Sequence, residues 1–502
     1  MLLLGAWLAH GAATPAPVPA QPTEVPSELA EMKRAEAAYE SWLDDHLRSY
    51  LALKRYSLLP AIQWGDFGRG LYARSPFVEG DTIVFVPAKL VLNSSRAVED
   101  DERIALAVKE LRKSTTQPEI FALIYLLCFE RLKGAHSFFA PYFDILPNFS
   151  DVLDVWKDDE IAELQDETLQ KRVNRVATGH QEAWDLAKKA LNVTAAELPV
   201  DVFVWAYRVA FSRAHRMDGG RYLAITPHVD MMNHHPTGNA HVVESADAPY
   251  GIMLKATMPI DAGDQILTNY GRFSNAELLL NYGFGIPENP HDFVTVRLRH
   301  FQMKDPLVQV KTDIAESLEL KETYITHALP PESLLSFFRF YMCDDADVLD
   351  KLTLDKDEYP FALKFPQVDV DNEIWSLRLC SAEAKFQLQG FKTTAQSDTA
   401  QLTSPAAPKF SYRKKVAMAY RLERKRMITE TLMFCDRALA AVEKERALVD
   451  YSGEMSQRMR DRIVEQVQAQ HADAMDDEAN AGSVPSATTA VPAPRKIGNE
   501  EL

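Results

Sequence analysis

The 502-residue chain carries 55 Lys and Arg against 72 Asp and Glu, a formal net charge of −17 at pH 7. An excess of that sign excludes binding that rests on neutralising a phosphate backbone, so no nucleic-acid partner is expected. Hydrophobic residues at 46% and charged residues at 25% belong to a globular protein with two or three domains and a sizeable core.

The first residues, MLLLGAWLAHGAA, form a short apolar run with an Ala-rich end, but no Lys or Arg precedes it. They read equally as a targeting segment and as a disordered leader, and they are too short to span a bilayer. Residues 14 to 26 repeat Pro every two to four positions and read as an extended linker. From Glu28 to Leu53 the spacing of Met32, Ala35, Tyr39, Trp42, Leu43, Leu47 and Tyr50 predicts one face of a helix. Glycines at 65, 68, 70 and 80 among short β-branched and aromatic runs then predict strands joined by tight turns.

Helical texture returns at 101 to 134, where Phe121 to Gly134 is apolar nearly all round and should be buried. Asp151 to Glu167 holds eight acidic residues and a single Lys, the pattern of a solvated helical face. Strand texture resumes around Ile225 and again at Phe293 to His300. Beyond about 305 the chain is helical, with an apolar helix at Ser333 to Met342 and an acidic loop at Asp344 to Glu358. Thr393 to Pro408 reads as a flexible excursion. Ile428, Leu432, Cys435, Leu439 and Val442 mark a long amphipathic helix whose first half is decorated by Arg413, Lys414, Lys415, Arg421, Arg424, Lys425 and Arg426. The tail from about Asp473 lacks large apolar residues and is expected to be disordered. The four cysteines, Cys128, Cys343, Cys380 and Cys435, never stand at CxxC spacing. No zinc motif is legible, and reduced, buried thiols are the expectation.

Polar residues set inside apolar runs carry the functional signal, because an unpaired polar group there costs a few kcal/mol. Asp230, Asn233 and His234 fall among Val229, Met231 and Met232, and Tyr270 follows the apolar pair Ile266–Leu267 just before Gly271. An Asn amide offers one donor and one acceptor to an adenine edge, and a neutral His can cap the same site. A satisfied core Asn–His pair would look alike. Gly68-Arg69-Gly70 permits close approach of backbone to a ligand, or simply turns the chain. A phenol at a strand end can orient a reacting nitrogen, or can be a core tyrosine. His234–His235 lacks a third ligand at a usual spacing, so no metal is expected.

Taken in order, GRGLYARSPFVEGDTIVFVP, FERLKGAHSFFAPYFDILP, FSRAHRM, DMMNH and NYGRFSNAELLLNYGFG resemble the SET-domain methyltransferases, in the branch of the Rubisco large-subunit lysine methyltransferase. The resemblance covers roughly Ala61 to Leu298, and the helical region to about Ala447 resembles that branch's substrate-binding domain. It implies an α+β fold: a leader over 1–27, a SET domain of small sheets with a pseudoknot over 28–300, and a helical insert at about 100–200. An all-α substrate-binding domain over 301–450 and a disordered tail over 451–502 would follow.

The resemblance further implies S-adenosyl-L-methionine as cofactor, with Phe67, Gly68 and Arg69 lining it through backbone. Arg213 would face its carboxylate, and Asn233 and His234 its adenine. Tyr270 matches the active-site tyrosine and Tyr282 the second tyrosine of the target pocket, while Asp230 steadies its turn or faces the substrate. His228 departs from the family pattern and is placed with the target pocket. The implied partner is a protein segment, met by a monomer, and the acceptor is lysine or, as in one member of the branch, histidine. A silent module that keeps the fold and only binds peptide is the alternative to an enzyme.

Overall fold

The structure, a computed structural model, describes residues 27–54, 60–65, 68–149, 151–246, 250–297, 305–358 and 360–449. The leader, the Pro-rich linker and the expected disordered tail lie outside the described residues.

Ten strands build the first half. They are β1 (Ala61–Gly65), β2 (Gly68–Tyr72), β3 (Thr82–Pro87), β4 (Leu92–Asn93) and β5 (His215–Met217). There follow β6 (Tyr222–Ile225), β7 (Asn233–His234), β8 (Ala240–Glu244), β9 (Gly251–Ala256) and β10 (Gln265–Thr268). They form three small sheets in the orders β1-β2-β10-β7, β3-β9-β8 and β4-β6-β5. The helices used below are α1 (Ser27–Lys54), α2 (Pro118–Leu132), α3 (Glu167–Leu191), α4 (Val200–Arg213), α5 (Asn275–Tyr282), α6 (Glu332–Met342), α7 (Val370–Gln389), α8 (Ala395–Leu402) and α9 (Tyr412–Val449).

Apolar periodicity accounts for most of this. Tyr39, Leu43 and Leu47 of α1 are buried at four-residue spacing against the sheets. Helix α2 starts on Pro118, where a missing N–H costs nothing, and Phe121 to Tyr125 all enter the core. The central event is tertiary. Strand β10 runs antiparallel to β2 and parallel to β7, pairing Leu267 with Asn233 and Thr268 with His234. Asn239 reinforces the join from both ends of its amide, giving Nδ2 to the Gln265 carbonyl (2.9 Å) and accepting from the Leu267 N–H (2.7 Å).

The second half is helical and carries two short ladders, β11 (Phe293–Arg297) with β12 (Glu322–Thr326) and β13 (Thr353–Asp355) with β14 (Ala362–Lys364). Ile428, Phe434, Cys435 and Val442 of α9 share a core with Ile374, Leu377 and Cys380 of α7. The first turns of α9 belong elsewhere. Val416, Ala417 and Tyr420 pack with Leu153, Trp156, Ile161 and Leu164 and with Leu279 and Leu280 of α5.

Three expectations are corrected here. Asp151–Glu167 is only in part a solvated face: Asp151, Asp158, Asp159 and Glu167 are exposed, but its apolar residues enter that junction core and Asp154, Glu160, Glu163 and Asp166 meet basic residues of α4 and α9. Arg413 meets Glu160 at 2.6 Å, Arg421 meets Glu163 at 2.7 Å, and Tyr420 donates to Asp166 at 2.7 Å. The basic residues of α9 are therefore not all decoration, since Arg421 and Lys425 are 2% and 1% exposed. The stretch Thr393–Pro408 is not a flexible excursion. It contains α8, capped by Thr394, and its Asp398 is fully buried between Arg421 (2.7 Å) and Lys425 (2.5 Å). Finally, Cys380 and Cys435 are joined as a disulfide between α7 and α9, while Cys128 and Cys343 are free and buried.

Candidate active site

Helix α4 ends at Arg213, and the guanidinium there points into the 3₁₀ turn Val229–Met231. Its Nη1 donates to the Asp230 carboxylate at 2.8 Å and to the Asp230 carbonyl at 2.9 Å. Tyr142 donates its hydroxyl to the same carboxylate oxygen at 2.7 Å. The other oxygen, Oδ1, is buried with no partner, as is Arg213 Nε. Asp230 thus steadies the turn and still turns one unpaired lone-pair oxygen inward.

Two residues on, β7 delivers Asn233 and His234. The Tyr270 N–H donates to His234 Nδ1 at 3.0 Å, which fixes the neutral tautomer with its hydrogen on Nε2. That Nε2–H is buried and has no partner. Burial, helped by the fields of His235 and His291, pushes the His234 pKa down to about 4, so the ring stays a neutral donor. Tyr270 itself donates to the Met232 carbonyl at 2.6 Å. Its ring lies 5.0 Å from Tyr282 and 5.2 Å from His234. Burial pushes its pKa up to about 12, which keeps the phenol protonated.

Tyr282 closes α5, and the chain must leave sharply after it. Gly283 does so at φ +80°, with its Cα against the Asp151 backbone, where a side chain would collide. At the other wall, a Cβ on Gly70 would stand 2.7 Å from Asn233 Nδ2 and 2.1 Å from Gln265 Nε2. A side chain at position 70 would push the Asn233 and Gln265 amides out of their places.

Two cavities meet here. One, of about 220 Å³, is lined by Asn233, His234, Phe284 and Ile286 and by Asn148 and Phe149 of the insert. The other, of about 330 Å³, is lined by Tyr207, Phe211, Phe273, His180 and His215. Val152, Ser212, Arg213, Asp230, Tyr270 and Tyr282 line both and form the wall between them.

The structure therefore brings together Arg213, Asp230, Asn233, His234, Tyr270 and Tyr282. Gly68 and Arg69 begin β2 but line neither cavity. The Arg69 side chain turns to the Ile145 carbonyl and to Glu36 (3.4 Å). Phe67 lies outside the described residues. His228 is a correction: it is buried outside both cavities, at φ +78°, with its ring 6.4 Å from that of Tyr39. Sequence reading marked Gly70 as a place where backbone can approach a ligand, but missed Tyr142, which holds Asp230, and Phe284, which lines the smaller cavity. Both stood inside the quoted motifs, where no spacing rule singles them out.

Burial also lowers the His228 pKa to about 4. An unfolded imidazole takes its proton near 6.5, so between about 6.5 and 4 the unfolded chain binds more protons than the folded one. Stability should fall with pH through that window, by up to about 1.4 kcal/mol per unit for each of the two rings. Urea unfolding curves at stepped pH check this, and a slope unchanged in His228→Asn would rule out that ring's share.

Comparison with known proteins follows the same geometry. The SET domain family matches residues 68–271, and the Rubisco LSMT substrate-binding family matches residues 302–428. The chain thus carries a SET domain followed by a Rubisco LSMT substrate-binding domain. Its SET domain holds both cavities, apart from the flanking Phe273 to Ile286. The Rubisco large subunit N-methyltransferase of Pisum sativum is 28% identical over 351 residues, 66% of this chain and 69% of that protein. The fructose-bisphosphate aldolase-lysine N-methyltransferase of Arabidopsis thaliana is 25% identical over 395 residues, covering 74% and 78%. The actin-histidine N-methyltransferase of Gallus gallus is 26% identical over 358 residues, covering 66% and 58%. In fold, the SET domain of LSMT bound to lysine and AdoHcy superposes with a TM-score of 0.60 at 23% identity, covering 86% of this chain and 98% of that one.

Proposed function

We infer that this SET-domain protein transfers the methyl group of S-adenosylmethionine to a lysine side chain of a non-histone protein. The observation that carries the reading is the shared wall: Ser212, Arg213, Asp230, Tyr270 and Tyr282 stand between a cavity with an adenine-compatible pair and a cavity with aromatic walls. S-adenosylmethionine supplies, when bound, a methyl group on a cationic sulfur. The residues present fit it. His234 Nε2–H and Arg213 Nε are buried donors without partners, and such groups are retained at a cost unless a ligand satisfies them. Gly70 keeps the strand close enough for the Asn233 amide to share that ligand.

The acceptor side is built to hold an amine without its charge. A lysine with an ordinary pKa near 10.4 arrives protonated. Within the second cavity the guanidinium groups of Arg208 and Arg213 are paired with Asp154 and Asp230 and add no net charge, so it is withdrawal from bulk water that favours the neutral form. Tyr270, whose hydrogen is committed to Met232, can only accept from the amine, and Asp230 Oδ1 is a second acceptor. Two N–H groups so held aim the lone pair at the wall between the cavities, which is an orientation effect. The relatives named for Rubisco and aldolase are lysine enzymes and the one named for actin a histidine enzyme, so the acceptor is the point to measure.

Radiolabelled methyl transfer to a proteome extract, followed by mass spectrometry of the labelled band, tests the reading. Labelled lysine is expected. Methyl groups found on histidine would move the assignment to the imidazole acceptor, and no labelling with no S-adenosylmethionine binding would leave only a peptide-binding module.

A further inference from the structure

Among the polar groups of the larger cavity that neither cofactor binding nor amine orientation uses, one is an imidazole held beside a carboxylate. His180, in the middle of α3, turns its ring into the cavity wall, where it stands edge-on to Tyr207 with centroids 5.0 Å apart. Its Nδ1 lies 3.3 Å from Asp154 Oδ2, and Arg208 Nη2 lies 2.5 Å from the same oxygen. A carboxylate that takes the Nδ1 hydrogen leaves the lone pair on Nε2, the nitrogen that remains for the cavity. Asp154 is itself held from a distance. It sits in Leu153–Val155, beside Trp156 of the junction core, and Arg413 and Arg421 of α9 tie down Glu160 and Glu163 of the same segment.

We propose that His180, oriented by Asp154, accepts the proton that the acceptor amine must shed before methyl transfer. The N–H bond of the ammonium breaks, its electron pair stays on the amine nitrogen, and a new N–H bond forms at His180 Nε2, directly or through one cavity water. The proton then leaves to solvent through the open side of the cavity. This rests on the methyltransferase reading above and adds a residue to it.

Charge in the cavity favours this assignment. Asp154 and Arg208 face His180 and neutralise one another, and Tyr207 offers only the edge of a phenol. Across the cavity stand Arg213 with Asp230, another neutral pair, then Tyr270 and Tyr282, both held protonated by burial. His215 is the other imidazole in the cavity. Burial lowers its basicity against the opposing pull of the Asp230 carboxylate, and its Nδ1 has no hydrogen-bond partner among the described residues. His180 has a carboxylate, Asp154, 3.3 Å from its Nδ1.

The test compares native protein, His180→Asn and Asp154→Asn in single-turnover labelling of the extract band identified above, across pH 6 to 10. An asparagine amide at 180 can keep the hydrogen bond to Asp154 while deleting Nε2. His180→Asn is expected to slow transfer about 100-fold at pH 7, within the usual range for a general base, and to lose the acid limb of the native profile. The deficit should shrink towards pH 10, where the amine loses its proton unaided. It should also shrink for a peptide of the labelled protein carrying S-aminoethylcysteine, a weaker base, in place of the acceptor lysine. Asp154→Asn should show a smaller loss of the same kind. S-adenosylmethionine affinity by calorimetry should be native in both, which separates this role from misfolding. A native rate and profile in His180→Asn, or a deficit equal at every pH and for both amines, overturns the proposal while the methyltransferase reading stands. Absence of transfer by the native protein overturns both.

Discussion

Tyr270→Phe should transfer methyl groups about 10²- to 10³-fold more slowly than the native protein while binding S-adenosylmethionine nearly as well. The magnitude is that of removing one preorganised polar group from a dry site. The physical reason is directional. Tyr270 gives its only hydrogen to the Met232 carbonyl at 2.6 Å, so the oxygen presents lone pairs to the amine and can fix where its N–H groups point. The ring contacts with His234 and Tyr282 survive the substitution, which is why binding should be spared. Calorimetry for affinity and rapid-quench labelling for rate separate the two quantities. Equal rates for the Phe variant and the native chain would remove Tyr270 from the chemistry altogether.

The second large effect is on stability. Asp398→Ala is expected to cost about 3–5 kcal/mol, because it takes the buried carboxylate from two cations that are almost wholly buried, leaving Arg421 to Glu163 and Lys425 to the Thr393 hydroxyl. Arg421 and Lys425 reach the Asp398 carboxylate at 2.7 and 2.5 Å and have little water to fall back on. Asp371→Ala offers the contrast. Its partner Arg446 and Asp371 itself are 44% and 66% exposed, and loss of a pair so solvated should stay within about 1 kcal/mol. Urea unfolding of the two variants side by side measures the difference. If they melt alike, the buried network is not what fastens α8 to α9.

That network also shows where sequence reading stops. Asp398 and its partners Arg421 and Lys425 are 23 and 27 residues apart, and Arg421 reaches back 258 residues to Glu163. From the sequence, an acidic run and a basic run each resemble solvated faces. Only the fold lays one upon the other, and burial then makes each charge dependent on its partner. The Cys380–Cys435 pair failed to announce itself for a similar reason, since no spacing motif marks two cysteines on separate helices.

By contrast, the helical face of α1, the buried helix α2 and the long amphipathic α9 follow from period alone. A run of apolar residues at three and four has few other ways to leave water. The polar residues Asp230, Asn233, His234 and Tyr270 were legible as well, because each interrupts an apolar stretch where it would otherwise go unpaid. What the sequence by itself determined about this protein was thus the set of groups that need partners. Which group each one meets was decided by tertiary structure, when β7 and β10 paired in parallel and set Asn233 and His234 beside Tyr270. His228 lies outside both cavities, buried at φ +78° with its ring near Tyr39, a placement that residue type alone does not dictate.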